Sequence, residues 1–211
     1  MPSELVHLAF AGYLAAALLG PAFSTRTVAV VLAAAAIPDV DSVLAIWLPG
    51  THRALLHTLL LPLVLGVLLA ADLRREDSVV RPLFDGHGLR VAAVALGALT
   101  LGGIAPDLFT NGVNLFYPFH DRFYTLNGDL SLSTTRGVVQ TFVEFHEGGG
   151  RTAGGTTEST FYYTGIDTDR GADPRNAERV FPLVSSGMQL LVVATSALVL
   201  WGRFRDANRQ R

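Results

Sequence analysis

The chain has 211 residues, is 50% hydrophobic and 16% charged, has a mean hydropathy of +0.38 and carries a formal net charge of −2. It is too apolar for an ordinary soluble domain and reads as a membrane protein. With no cysteine it has neither a disulfide framework nor a thiolate metal site, and with no basic patch interleaved with aromatics it has no nucleic-acid face.

Five apolar blocks follow in order: Leu5–Ala22, Thr27–Leu48, Ala54–Ala71, Leu89–Val113 and Val180–Trp201. Each is about the length that a helix needs to cross a bilayer core, roughly 20 residues. The N-terminus lacks a basic region and the first block holds His7, which predicts a retained first span rather than a cleaved leader. The expected fold is an all-α integral membrane protein with about five transmembrane helices. It divides into a four-helix membrane domain (1–117), an extracytoplasmic insert (118–179), and a fifth span with an arginine-rich tail (180–211).

The insert between spans four and five differs in composition, with nine acids, six arginines and the glycine-rich run EFHEGGGRTAGG. Alternation and β-branched or aromatic content predict short strands at LSLSTT around Leu130 and STFYYTG around Phe161, with RGVVQTFVEF a strand or short helix between them. The insert reads as a small subdomain or as a lid over a site.

All 16 basic residues are arginines, and their placement predicts topology. Arg26, the group Arg74, Arg75, Arg81 and Arg90, and the tail residues Arg203, Arg205, Arg209 and Arg211 fall on one side of a five-span chain. The tail is thus a topology signal, with the N-terminus outside and the C-terminus cytoplasmic.

That topology brings the polar residues of the spans to one leaflet. His7 starts span one, Asp39 and Asp41 lie in the outer half of span two, His52 and His57 start span three, and Asp107 ends span four. Ionisable groups in membrane helices cost several kcal/mol unless they pair, bind an ion or line a wet cavity. Pro38 predicts a break that frees the backbone at Asp39. Asp39 and Asp41, two apart, share a direction only in a non-helical stretch. His52 and His57 are five apart, which suits one site if His52 precedes the first helical turn, with Thr51 as the cap. Carboxylate with neutral imidazole suits a divalent ion, Zn above all, or Mn, Fe or Ni.

HLAFAGYLAAALLG, PDVD, HRALLHT and GGIAPDLFTNGVNLFYP, in this order over Pro2–Phe119, resemble the motifs of the membrane-bound metal-dependent hydrolases of bacteria and archaea. This is the YdjM-like inner-membrane group, regarded as distantly related to zinc-dependent phospholipase C. The resemblance implies that His7, Asp39, Asp41, His52, His57 and Asp107 are metal positions and that Arg53 is the arginine of a His-Arg motif. Thr110, Gly112, Val113 and Pro118 continue the last motif. Gly103 stands where the group has a histidine four residues before its aspartate, and Ala54 and Thr58 replace a glycine and a serine.

The expected activity is hydrolysis by metal-activated water, with His52 a ligand or general base and Arg53 stabilising negative charge on the substrate. A lipid head group or lipid-linked phosphate at the outer leaflet is the expected partner. The alternatives are a non-catalytic scaffold with a buried Asp/His/Arg cluster, and a metal or proton transporter. His120 and His146 are candidates for the nitrogen missing at Gly103, and His87 reads as a turn residue.

Overall fold

A computed structural model describes residues 3–126, 128, 130–140, 155–169, 171 and 176–209. His146, Glu147 and most of EFHEGGGRTAGG lie outside the described residues. The architecture is mostly helical: α1 (Glu4–Leu18), α2 (Thr25–Ala36), α3 (Leu60–Leu73), α4 (Gly88–Leu108) and α5 (Gly187–Arg209), with one antiparallel hairpin, β1 (Leu130–Ser133) and β2 (Gly137–Gln140).

Two helices, α4 and α5, are long and apolar enough to cross a membrane. A third candidate is α2 continued through Pro38–Leu44, bent by 48° at its break. α1 and α3 are apolar but shorter, at 15 and 14 residues. Side chains such as Leu63, Leu68, Leu190 and Leu198 face outward, more than half exposed. Apolar surface on that scale needs a lipid or protein covering.

Ser24 starts α2 with a capping box: its Oγ accepts from the Thr27 N–H, and Thr27 Oγ1 accepts from the Ser24 N–H. Pro38 ends the helix, since it has no N–H for the ladder, and the chain turns through Pro38–Val40 into the short helix Asp41–Leu44. α4 changes to π-helical bonding over Ala98–Ile104.

α1, α2 and α4 pack around a core of small and branched residues, among them Ala11, Ala15, Val31, Ala35, Val91 and Ala98. Small residues let helix backbones approach where no water drives association. α5 runs alongside α1 in the same direction. The Ser196 hydroxyl donates to the Ala9 carbonyl at 2.8 Å, Tyr13 bonds Thr195, and Phe23 meets Phe204.

The two ends of this bundle are chemically opposite. At one end Arg26 lies over Phe84, Arg203 over Phe23, and Arg90 donates to the Leu18 carbonyl. At the other end stand His7, Asp39 and Asp107.

Three local expectations are corrected. The third apolar block becomes helical at Leu60, not at Ala54, because residues 51–59 are held in turns by distant partners: Leu59 N–H donates to Leu115 O, and the Thr58 hydroxyl donates to the carbonyls of Leu115 and Tyr117. Thr51 caps no helix, since its hydroxyl donates to Leu48 O. STFYYTG forms no strand, because no described segment pairs with it; it lies instead against the polar end of the bundle.

Candidate metal centre

Five side chains at that end, His7, Asp41, Arg53, His57 and Asp107, are each at most 1% exposed. Burying this many ionisable groups costs several kcal/mol per ion unless each finds a partner. Their pairings therefore show how the site is built.

α1 supplies His7. Its Nδ1 donates to the carbonyl of Gly102 at 2.7 Å, within the π-helical part of α4, where the altered ladder re-aims backbone groups. A carbonyl only accepts, so the Nδ1 holds the proton and the Nε2 lone pair points on toward the acids. It lies 3.8 Å from Asp39 Oδ2 and 3.8 Å from Asp107 Oδ2.

The break after α2 supplies Asp39 and Asp41, and the two do different things. Both oxygens of Asp41 are taken from behind by imidazoles: Oδ1 accepts from His52 Nδ1 at 2.7 Å, and Oδ2 from His57 Nδ1 at 2.9 Å and the Leu56 N–H at 3.3 Å. One carboxylate thus fixes the tautomer and orientation of two histidines, the usual outer-shell support of a histidine ligand. Asp39 faces the other way, with Oδ1 3.5 Å from His57 Nε2.

Asp107, at the end of α4, completes the group, with Oδ2 3.0 Å from His57 Nε2 and Oδ1 2.6 Å from Arg53 Nη2. His7, Asp39 and Asp107 each offer a ligand atom within 4.8 Å of one another, and these three could hold a metal ion. His57 Nε2 reaches the same two carboxylates. Ligands that share an ion tetrahedrally at 2.0–2.1 Å stand about 3.3 Å from each other, and the four nitrogen-to-oxygen separations here run from 3.0 to 3.8 Å.

The donor set also fits a cation chemically. His57 Nε2 and both Asp107 oxygens are buried without a partner of hydrogen-bond geometry. Lone pairs that converge on one point repel unless a proton or a cation lies between them. Two imidazoles with two carboxylates and no thiolate are ligands for Zn, Mn, Fe or Ni.

Arg53 has φ +63°, a left-handed backbone that costs a non-glycine residue about 1 kcal/mol or more. Its carbonyl accepts from the Asn114 N–H at 2.9 Å, and the half-buried Tyr162 ring lies 4.8 Å from its guanidinium carbon. Burial pushes the Tyr162 phenol above its ordinary value against the pull of Arg53, and the phenol donates to Asn111 O at 2.8 Å. Arg53 Nε and Nη1 and His52 Nε2 are buried and unpartnered. An unmet polar group of this kind costs roughly 1–3 kcal/mol.

Of the six residues expected at the metal, the structure brings His7, Asp39 and Asp107 close enough to share an ion, with His57 Nε2 beside both carboxylates; it sets Asp41 behind two of the histidines and leaves His52 Nε2 buried without a partner. Gly103 leaves no gap for the absent histidine: a Cβ there would stand 2.6 Å from the Ala35 carbonyl oxygen and 2.9 Å from Pro38 Cγ. His120 does not fill the place either, being exposed and set against Tyr124.

Four contributors escaped the sequence reading. Glu4, at the rim, lies beside Asp39 in the same cavity lining; its position three residues before His7, on the same helix face, was a usable signal. Tyr162 and Asn114 gave none, since both act through contacts distant in sequence. Asp121 ties the insert to the site by accepting from Asn114 Nδ2 at 2.6 Å and from the Thr157 hydroxyl at 2.7 Å.

No curated protein and no solved structure matches the chain. The sequence model of one family, described as YdjM inner membrane protein, matches residues 1–164. Those residues include every group around the candidate metal site and the insert tyrosine above Arg53, so the chain belongs to the YdjM inner membrane protein family.

Proposed function

We propose that the protein is a membrane-bound metal-dependent hydrolase that acts on a phosphate ester, on a lipid head group or a lipid-linked phosphate at the outer leaflet. The observation that carries this reading is that His7 Nε2, Asp39 and Asp107 lie close enough together to share an ion, with His57 Nε2 beside both carboxylates and without a partner of hydrogen-bond geometry. His7, Asp39, His57 and Asp107 would hold the ion, with zinc the best fit to the donor set. A bound divalent ion supplies Lewis acidity and a hydroxide-like nucleophile from water near neutral pH.

The chain's own residues do the rest. Asp41 holds the two imidazoles with their Nε2 atoms forward. His52 Nε2, with a free lone pair, takes a proton from the attacking water and returns it to the leaving oxygen as the ester P–O bond breaks and the water oxygen forms the new one. Arg53 meets the negative charge that builds on the phosphoryl oxygens through its unpartnered Nε and Nη1.

In this reading all five apolar helices cross the membrane. The arginine-rich end lies in the cytoplasm and the site at the outer leaflet, so the N-terminus is outside and the C-terminus inside. Residues 1–117 form the membrane domain, 118–179 the outer insert and 180–211 the last span and tail. A second reading, a non-catalytic scaffold, draws on the Arg53–Asp107 ion pair at 2.6 Å; a metal or proton transporter would call for paired broken helices, and among the described residues one apolar helix breaks, at Pro38.

Phosphate release from phosphatidic acid vesicles by the purified protein tests the proposal. Release that is lost on chelation, restored by zinc and absent in Asp39→Asn supports it. Release unaffected by chelation and by Asp39→Asn overturns it.

A further inference from the structure

A cavity of about 880 Å³ opens beside the metal centre, within the size range of small-molecule sites. Its walls and its floor differ. The walls include Leu5 of α1, Val40 and Val43 from the break after α2, and Ile166, Phe181 and Leu183 from the insert and the approach to α5. Val40, Val43, Phe181 and Leu183 are between 37% and 67% exposed, so this part of the lining is apolar surface that no described residue covers. The floor is Glu4, Asp39, His52 and Arg53.

The floor supplies an independent pointer to a ligand. Arg53 is 1% exposed and His52 5%, yet Arg53 Nε and Nη1 and His52 Nε2 have no partner, and both residues line the cavity. A buried guanidinium with two open donors matches the oxygens of a phosphate, which accept such forks in pairs. Glu4 and Asp39 line the same cavity, and Asp39 faces the candidate cation site, where a bound ion would add to the attraction for an anionic head.

We infer that this cavity binds a membrane amphiphile, its phosphate head held at the floor by Arg53 and His52 and one apolar chain laid along the wall of Val40, Val43, Ile166, Phe181 and Leu183. The inference rests on the hydrolase reading for what happens at the head; binding of the head and chain needs only the residues named. The insert is then the outer wall of the substrate site. It is held there by Asp121, by the Tyr162 phenol on Asn111, and by Thr157 packed so closely over Gly50 that a side chain at Gly50 would collide with the Thr157 carbonyl.

The test measures binding of butyl, octyl and dodecyl phosphate to the full chain in phosphatidylcholine nanodiscs, by displacement of a fluorescent alkyl phosphate. Inorganic phosphate and dodecyltrimethylammonium are the head-group controls, and metal content is determined on the same sample. Affinity should rise with chain length, by up to about fourfold per added methylene, and dodecyltrimethylammonium should bind at least tenfold more weakly than dodecyl phosphate. Phe181→Asp, at an exposed position that should not disturb folding, should flatten the chain-length dependence and leave butyl phosphate unchanged. Arg53→Gln should weaken every phosphate about tenfold and leave the slope intact. Partition of the probes into the disc is common to all variants, so the comparison with Phe181→Asp removes it.

Displacement by farnesyl phosphate indicates a prenyl source of the chain, and displacement by dioleoyl phosphatidic acid a diacyl source; displacement by neither overturns the inference. So does a chain-length slope that is absent, or that is equal in Phe181→Asp. If metal is held and the slope is missing, the inference falls and the metal reading stands. If no metal is held and the slope and its Arg53 dependence persist, the hydrolase reading falls and the amphiphile site stands.

Discussion

Replacing Asp41 by Asn keeps the shape of the side chain and removes one of the two acceptors that set the histidines. In the wild type, both oxygens receive an imidazole Nδ1–H, at 2.7 and 2.9 Å. Asn offers one oxygen and one NH2. One histidine keeps its bond, and the other faces a donor, so its ring must carry the proton on Nε2 instead of Nδ1. If that ring is His57, its metal-facing nitrogen loses its lone pair. A hydrogen bond to a charged group contributes about 1.5–3 kcal/mol, and outer-shell changes of this sort lower metal affinity by about 10–100-fold. Chelator competition with zinc on detergent-purified protein should therefore show Asp41→Asn weaker by about 10–100-fold, and Asp39→Asn, which removes a ligand, weaker still. An Asp41→Asn protein that stays folded and binds zinc within about twofold of wild type would refute the orienting role, since the carboxylate behind the two histidines could not then be coupled to the ion.

The packing makes further predictions. Gly103→Ala should lose about 1–3 kcal/mol in thermal unfolding, since its Cβ would strike the Ala35 carbonyl and Pro38, whereas Gly97→Ala, with nothing within 4 Å of its Cβ, should be neutral or slightly stabilising. Ser24→Ala removes the capping box of α2 and should cost about 1 kcal/mol in the same assay; no change would mean that packing alone fixes the start of α2. Ser196→Ala removes the buried bond to Ala9 and should loosen α5 from α1 by about 1 kcal/mol, read as faster proteolysis of the C-terminal helix.

The site was legible where the sequence sets charge in an apolar run. His7, Asp39, His57 and Asp107 stand out because they are ionisable groups set in or beside apolar runs, and the helix break at Pro38 could be read from the missing N–H alone. Asp41 could not be told from Asp39 in this way. Their roles part because residues 51–59 loop back over Asp41, and that loop is set by Leu115, Tyr117 and Asn114, more than fifty residues away. STFYYTG reads as a strand by composition, yet its aromatic residues serve a different end: Tyr162 covers Arg53 and bonds Asn111. Helix ends were legible where local chemistry fixes them, as at Ser24, and illegible at Leu60, where long-range bonds hold the chain in turns.

Metal analysis of the purified protein tests the central claim most directly. The account predicts about one zinc or similar divalent ion per chain in the wild type, and its loss in His7→Ala, His57→Ala and Asp39→Asn proteins that remain folded. A folded wild-type protein that retains no ion after purification, and takes up none when zinc is supplied, would contradict it and leave the cluster as a buried ion-pair network.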